Sequence, residues 1–146
     1  MNPTVQRYAV KLLSVHDIIY QRSGGWIGHR VPFMPSNLLL HSVGAKTGKA
    51  RTNTLTYAQD GGNYLIVASN GGTNRYPGWY HNLKATPDVE INVGPSRFPV
   101  TARIVLPDDA DYARLWEITN KNNANRYDAY QKRTDRPIAV IVLSPR

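Results

Sequence analysis

Cysteine is absent from the chain, which excludes disulfides, thiolate metal ligands and a cysteine nucleophile, and makes an intracellular protein the simplest reading. Histidine is scarce. His16, His29, His41 and His81 are scattered without metal-ligand spacing, so surface, capping or core roles are expected and no metal site. No run approaches the ~20 apolar residues of a membrane-spanning helix, and the first residues lack a signal-peptide core and cleavage site. The expectation is a soluble cytoplasmic protein, with at most peripheral membrane contact. Acidic residues are missing from a long stretch: between Ile18 and Pro87 only Asp60 is acidic, against Arg22, Arg30, Lys46, Lys49, Arg51, Arg75 and Lys84. The formal net charge of +8 is therefore regional in origin. A surface of that kind concentrates and steers an anionic ligand, whether a phosphorylated cofactor, a nucleic acid or an anionic membrane.

What is present organises around that stretch. Gly44-Ala-Lys-Thr-Gly-Lys-Ala-Arg51 joins two runs that read as strands, Ser36 to Val43 and Arg51 to Tyr57, and a hairpin is the natural connection. Its glycines let the main chain turn and bring N–H groups to a ligand, while Lys46, Lys49 and Arg51 supply charge. Two readings stay open, an anion site and a solvated basic tip. The pattern is not a P-loop, because it lacks the Gly-Lys-Ser/Thr ending and precedes a strand.

Along the rest of the 146 residues, about one domain in length, Thr4 to Arg22 places Val5, Tyr8, Leu12, Val15 and Ile19 at helical spacing. Gly24-Gly25 supplies a stop, so residues 1–25 are expected to carry an N-terminal amphipathic helix that packs on a sheet or lies on a membrane. Asp60-Gly61-Gly62 marks a turn before the apolar strand Asn63 to Asn70. Ser69-Asn70-Gly71-Gly72 turns small and polar, and Pro77 opens a short helix from Gly78 to Lys84. Asp88 to Gly94 and Arg97 to Val105 predict a second hairpin, with Pro99 at an edge or bulge. Helices are expected over 108–120 and 126–133, the second placing Tyr127 and Tyr130 on one face. A last strand runs from Pro137 to Leu143. About six antiparallel strands with few helices predict a mainly β, α+β fold, a small barrel.

Three segments, Gly44 to Leu55, Ala68-Ser-Asn-Gly-Gly72 and Pro77-Gly-Trp-Tyr-His-Asn-Leu-Lys-Ala-Thr-Pro87, together resemble the deazaflavin-dependent nitroreductase family. Its members are split β-barrels similar in fold to flavin reductases and pyridoxamine-phosphate-oxidase-like proteins. The resemblance covers nearly the whole chain, as one domain spanning 1–146. It implies an oxidoreductase using the reduced 8-hydroxy-5-deazaflavin coenzyme, coenzyme F-420, whose tail carries a phosphate and several glutamates. By carry-over, Ala45, Lys46, Thr47, Gly48 and Arg51 would meet the phosphate and nearby tail, and Thr52, Asn53, Thr54 and Leu55 would line the cofactor. Val67, Ala68, Ser69 and Asn70 would contact the ring system, with Gly78, Trp79, Tyr80, His81 and Asn82 closing the site. Ser69, Tyr127 and Tyr130 would be the catalytic and substrate-bordering side chains; a satisfied strand-end hydroxyl and a core stripe are their ordinary alternatives. Asn70 stands where the family often has lysine, Thr54 where proline is common, and Ala124 near a further pocket tyrosine of the nitroimidazole-reducing member. These departures weaken the case for bulky nitroimidazoles and favour a quinone or another conjugated acceptor. FMN on the same barrel is the near alternative cofactor, and a non-enzymatic basic module for nucleic acid is the alternative of another class. Against the latter, no recognition-helix or RNP-type pattern occurs, so no nucleic-acid partner is expected. A homodimer is common among related barrels.

Overall fold

In the computed structural model the described residues are 36–146; the helix expected near the N-terminus, with His16 and His29, lies outside them. Seven strands form one antiparallel sheet: β1 (Asn37–Val43), β2 (Ala50–Thr56), β3 (Ala58–Asp60), β4 (Asn63–Val67), β5 (Asp88–Val93), β6 (Ser96–Val105) and β7 (Val140–Pro145). Their spatial order is β2-β1-β5-β6-β7-β4-β3. The two edge strands, β2 and β3, are separated in the chain by Tyr57 alone. Thr56 and Ala58 can lie no more than ~7 Å apart, so the sheet must curl until its edges approach, and a half-barrel results. At the bend, Tyr57 donates its N–H to the Ser36 carbonyl at 3.1 Å.

Alternation along the strands divides the apolar residues into two layers. Leu38, Leu40, Ile66, Ile91, Val100, Ile141 and Leu143 fill the barrel interior. Leu65, Val67, Val105, Val140 and Val142 point outward. They are covered by α2 (Tyr112–Asn122) and α3 (Arg126–Gln131), which contribute Leu115, Tyr127 and Ile118. A short helix, α1 (Gly78–Ala85), closes the interior with Trp79, Tyr80 and Leu83. Full burial of each Leu or Ile contributes roughly 1.5–3 kcal/mol, so both layers are substantial.

The sheet has one strand more than the sequence suggests, because Ala58–Asp60 is too short to carry a period of its own. Pro99 also differs from expectation: it lies on β6, an interior strand, opposite Glu90. It is tolerated because β7 pairs only from Val100 onward, and the Pro99 carbonyl accepts from the Arg146 N–H at 3.0 Å.

Candidate functional site

The β1–β2 connection is a loop closed on its own backbone. Gly44 N–H donates to the Lys49 carbonyl (2.8 Å) and Gly48 N–H to the Gly44 carbonyl (2.9 Å), while Lys49 N–H reaches Thr47 Oγ1 (3.3 Å). Gly48 has φ +67 and faces open space, the left-handed turn that glycine alone adopts without strain. Lys46, Lys49 and Arg51 stand exposed on this loop. Among the described residues none of the three forms an ion pair. The one acid in the surrounding stretch, Asp60, is held by Arg114 at 2.9 Å instead. The loop therefore presents uncompensated positive charge on a fixed backbone.

Asn82, buried on α1, ties that loop to the barrel. Its Oδ1 accepts from the Ala45 N–H at 2.8 Å and its Nδ2 donates to Ser42 Oγ at 3.2 Å. Along β2 the predicted lining residues split between two faces. Leu55 packs into the interior, and by alternation Asn53 and Arg51 share its side. Thr52 faces the other way, where His41 Nδ1 lies 3.3 Å from Thr52 Oγ1 and His41 Nε2 2.5 Å from Asn92 Oδ1. Thr54 is on that second face as well, its buried Oγ1 without a hydrogen-bond partner among the described residues. One ligand cannot rest on both faces at once. It can meet both rows only by running along the edge of β2, which among the described residues pairs with β1 alone.

β4 ends where the barrel opens. Val67 turns into the outer layer and Ala68 into the interior. Then Ser69 is helical in φ and ψ, and Asn70, Gly71 and Gly72 have φ of 45, 65 and 79. A Cβ on Gly72 would sit 2.5 Å from the Tyr130 carbonyl oxygen, so this loop rests directly on the α3 backbone. Asn70 Nδ2 donates to Thr73 Oγ1 (2.9 Å) and to the Arg75 carbonyl (3.1 Å), bracing the turn.

The two tyrosines of α3 occupy different depths. Their rings meet edge to face at 6.2 Å. Tyr130 is half-buried, whereas Tyr127 is 6% exposed in the outer layer, and burial, reinforced by Tyr130, pushes its phenol well above the usual range. On α1, Trp79 and Tyr80 are buried while Gly78 and His81 are exposed. Burial, then Tyr76, raises the Tyr80 phenol. Tyr76 and Tyr80 stack at 4.0 Å with 12° between their planes, and His81 lies edge-on to Tyr80 at 5.4 Å.

Three residues near the site were invisible to sequence reasoning. Arg133 donates to the Gly71 carbonyl at 3.3 Å and lies over the Tyr130 ring. Arg136 grips the far side of the glycine loop, and Tyr76 lies beneath it. The only available signal was the density of cations from Arg126 to Arg136, where Arg126, Lys132, Arg133 and Arg136 outnumber Asp128 and Asp135. A separate groove lined by Pro107, Tyr112, Trp116, Asp128, Gln131 and Lys132 has a volume of about 480 Å³. Its Tyr112, Trp116, Asp128 and Gln131 polar atoms already bond within the protein.

The donor set suits a tailed anionic cofactor: three cations without an ion pair among the described residues at one end, the edge strand β2, then a glycine turn and aromatic rings at the other. Among the described residues no group of three or more His, Cys, Asp or Glu side chains could hold a metal ion. A family model described as F420H(2)-dependent quinone reductase matches residues 12–145. An F420H(2)-dependent quinone reductase of Mycobacterium tuberculosis is 66% identical over 137 residues, covering 94% of this chain and 92% of that protein. Among solved structures, an F420-H2 dependent reductase is 34% identical, with a TM-score of 0.65 over 74% of this chain and 93% of that one. A domain-swapped dimer is 32% identical, with a TM-score of 0.68, covering 98% of this chain and all of the other.

Proposed function

The chain belongs to the F420H(2)-dependent quinone reductase family, and on that premise we propose which of its residues carry deazaflavin-dependent quinone reduction. The carrying observation is the uncompensated cationic hairpin, locked to α1 by Asn82 and continuous with an open strand edge. Lys46, Thr47 and Arg51 bind the phosphate and tail carboxylates, arginine by paired N–H donors, while Ala45 and Gly48, whose N–H groups bond to Asn82 Oδ1 and the Gly44 carbonyl, border the tail and hold the loop in shape. Thr52, Asn53, Thr54 and Leu55 guide the cofactor along the edge of β2. The backbone from Val67 to Asn70 borders the ring system, and Gly78, Trp79, Tyr80, His81 and Asn82 close it off from water.

When bound, coenzyme F-420 in its reduced form supplies a hydride; the protein's task is to fix that donor against the acceptor. Ser69 Oγ–H, whose hydroxyl has no hydrogen-bond partner among the described residues, donates to the quinone oxygen as negative charge develops. Tyr130 borders the acceptor, and Tyr127, packed beneath, sets the Tyr130 ring angle. The product is the hydroquinone, which takes one proton besides the transferred hydride; that proton comes from water, directly or through the Ser69 hydroxyl, which water then reprotonates. The working unit in this reading is one domain over 1–146, and the domain-swapped relative supports a homodimer as its assembled form. No helix among the described residues is long and apolar enough to cross a membrane; residues 1–25 carry any peripheral membrane contact.

The test is steady-state oxidation of reduced coenzyme F-420 with a quinone, a nitroimidazole and an enone in parallel. The quinone should be turned over fastest. Turnover of another class with no quinone active would contradict the acceptor assignment.

A further inference from the structure

Arg136 lies between α3 and β7, and all three of its guanidinium nitrogens are engaged. Nη1 donates to the Ala68 carbonyl (3.1 Å), Nη2 to the Ser69 carbonyl (2.7 Å) and Nε to the Thr73 carbonyl (2.8 Å). Those three oxygens bracket the left-handed turn Asn70–Gly72 on both sides. The guanidinium plane also lies 4.4 Å from the centroid of Tyr76. Tyr76 stacks on Tyr80 of α1 and donates its hydroxyl to the Pro137 carbonyl. One side chain thus fastens the glycine turn and the aromatic column that leads into α1, two walls that approach the ring system from different parts of the chain.

The chemistry of the contact is specific to arginine. Its planar fork reaches carbonyls in several directions while its face stacks on an aromatic ring; a lysine ammonium can do only part of this. Among the described residues Arg136 has no carboxylate partner, so its charge is met only by carbonyl dipoles and the Tyr76 ring. Without Arg136 the Ala68 and Thr73 carbonyls would require water, while the Ser69 carbonyl would keep the Gly72 N–H at 2.8 Å. Water at that place would loosen the turn.

We propose that Arg136 is a positioning residue for the deazaflavin ring: its guanidinium sets the Ser69–Thr73 turn and the Tyr76–Tyr80 stack in one fixed relation. This rests on the cofactor placement proposed above. A plain loop staple is the competing account, and the two differ in what they do to bound cofactor. A staple changes stability, whereas a positioning residue changes how the ring is held once the site is full.

The experiment uses the full chain as wild type, R136K, R136A and the surface control R97A. Oxidised coenzyme F-420 is titrated by fluorescence, thermal melts are recorded without cofactor, and kcat is measured at saturating reduced cofactor. Affinity should fall about tenfold or more in R136A and several-fold in R136K, with kcat at saturation also lowered in R136K. R97A should match wild type. Millimolar methylguanidine should restore part of the affinity of R136A and none of R97A's wild-type value should change. If R136A does not fold, R136K carries the comparison. Wild-type affinity and kcat in R136K with only a lower melting temperature would overturn the proposal. Failure of wild type itself to bind coenzyme F-420 would overturn the cofactor placement instead.

Discussion

At the scale of single residues, the hairpin cations are where charge becomes affinity. Arg51→Ala should weaken coenzyme F-420 binding by ~1.5–3 kcal/mol, the loss of a charge-assisted hydrogen bond, read by fluorescence titration. Wild-type affinity in that variant would remove Arg51 from the anion site. Backbone conformation makes two further predictions. Ala124 has φ of 54 at the α2–α3 junction, a conformation that costs a residue with a Cβ about 1–2 kcal/mol. Ala124→Gly should therefore stabilise by about 0.5–1 kcal/mol, after the larger unfolded-state entropy of glycine is subtracted. Gly72→Ala should do the reverse, because its φ of 79 and the Tyr130 carbonyl 2.5 Å from the new Cβ both oppose it. A loss of about 2–3 kcal/mol in chemical denaturation is expected. The hairpin was legible in sequence because its glycines and cations are adjacent. Arg136 was not, since its acceptors lie 63 to 68 residues away and no local pattern encodes such a contact.

Elements carry the next level of behaviour, and α2 gives it a pH signature. Burial pushes the Tyr112 phenol up to about 12, and its hydroxyl donates to the Ile138 carbonyl at 2.6 Å. A phenol with a folded pKa above its unfolded value near 10 favours the native state while protonated. That contribution is complete below about pH 10 and is lost as pH rises toward 12. Stability measured across this window should fall more steeply in wild type than in Tyr112→Phe, and equal slopes would refute the coupling. Tyr127, also raised by burial, titrates in the same direction and keeps some slope in the variant. At this scale the sequence was informative where period and punctuation agreed: both hairpins, α1 behind Pro77 and the short α3 all form. It misled where burial imitated a strand. Ile138 and Ala139 are fully buried and apolar, yet β7 begins at Val140. Ile138 instead gives its N–H to Gln131 Oε1 and its carbonyl to Tyr112, contacts made by helices the strand pattern could not foresee.

For the whole molecule, topology turns a list of strands into a site. The chain crosses from one sheet edge to the other through Tyr57, and that crossing curls the sheet so that the open edge of β2 is offered to a ligand. Charge and strand patterning pointed to a basic barrel, and its charge proves local, since among the described residues the ion pairs gather on β5, β6 and α2 and leave the β1–β2 hairpin bare. Curvature and strand order were beyond composition because they depend on which strands pair. The measurement that tests the account most directly is a fluorescence titration of the protein with oxidised coenzyme F-420, at low and at physiological salt, with FMN in parallel. Saturable micromolar binding of the deazaflavin, weaker at the higher salt and without comparable FMN binding, is the predicted result. Binding of neither, at either salt, would contradict the assignment of the cationic hairpin and the β2 edge to this cofactor.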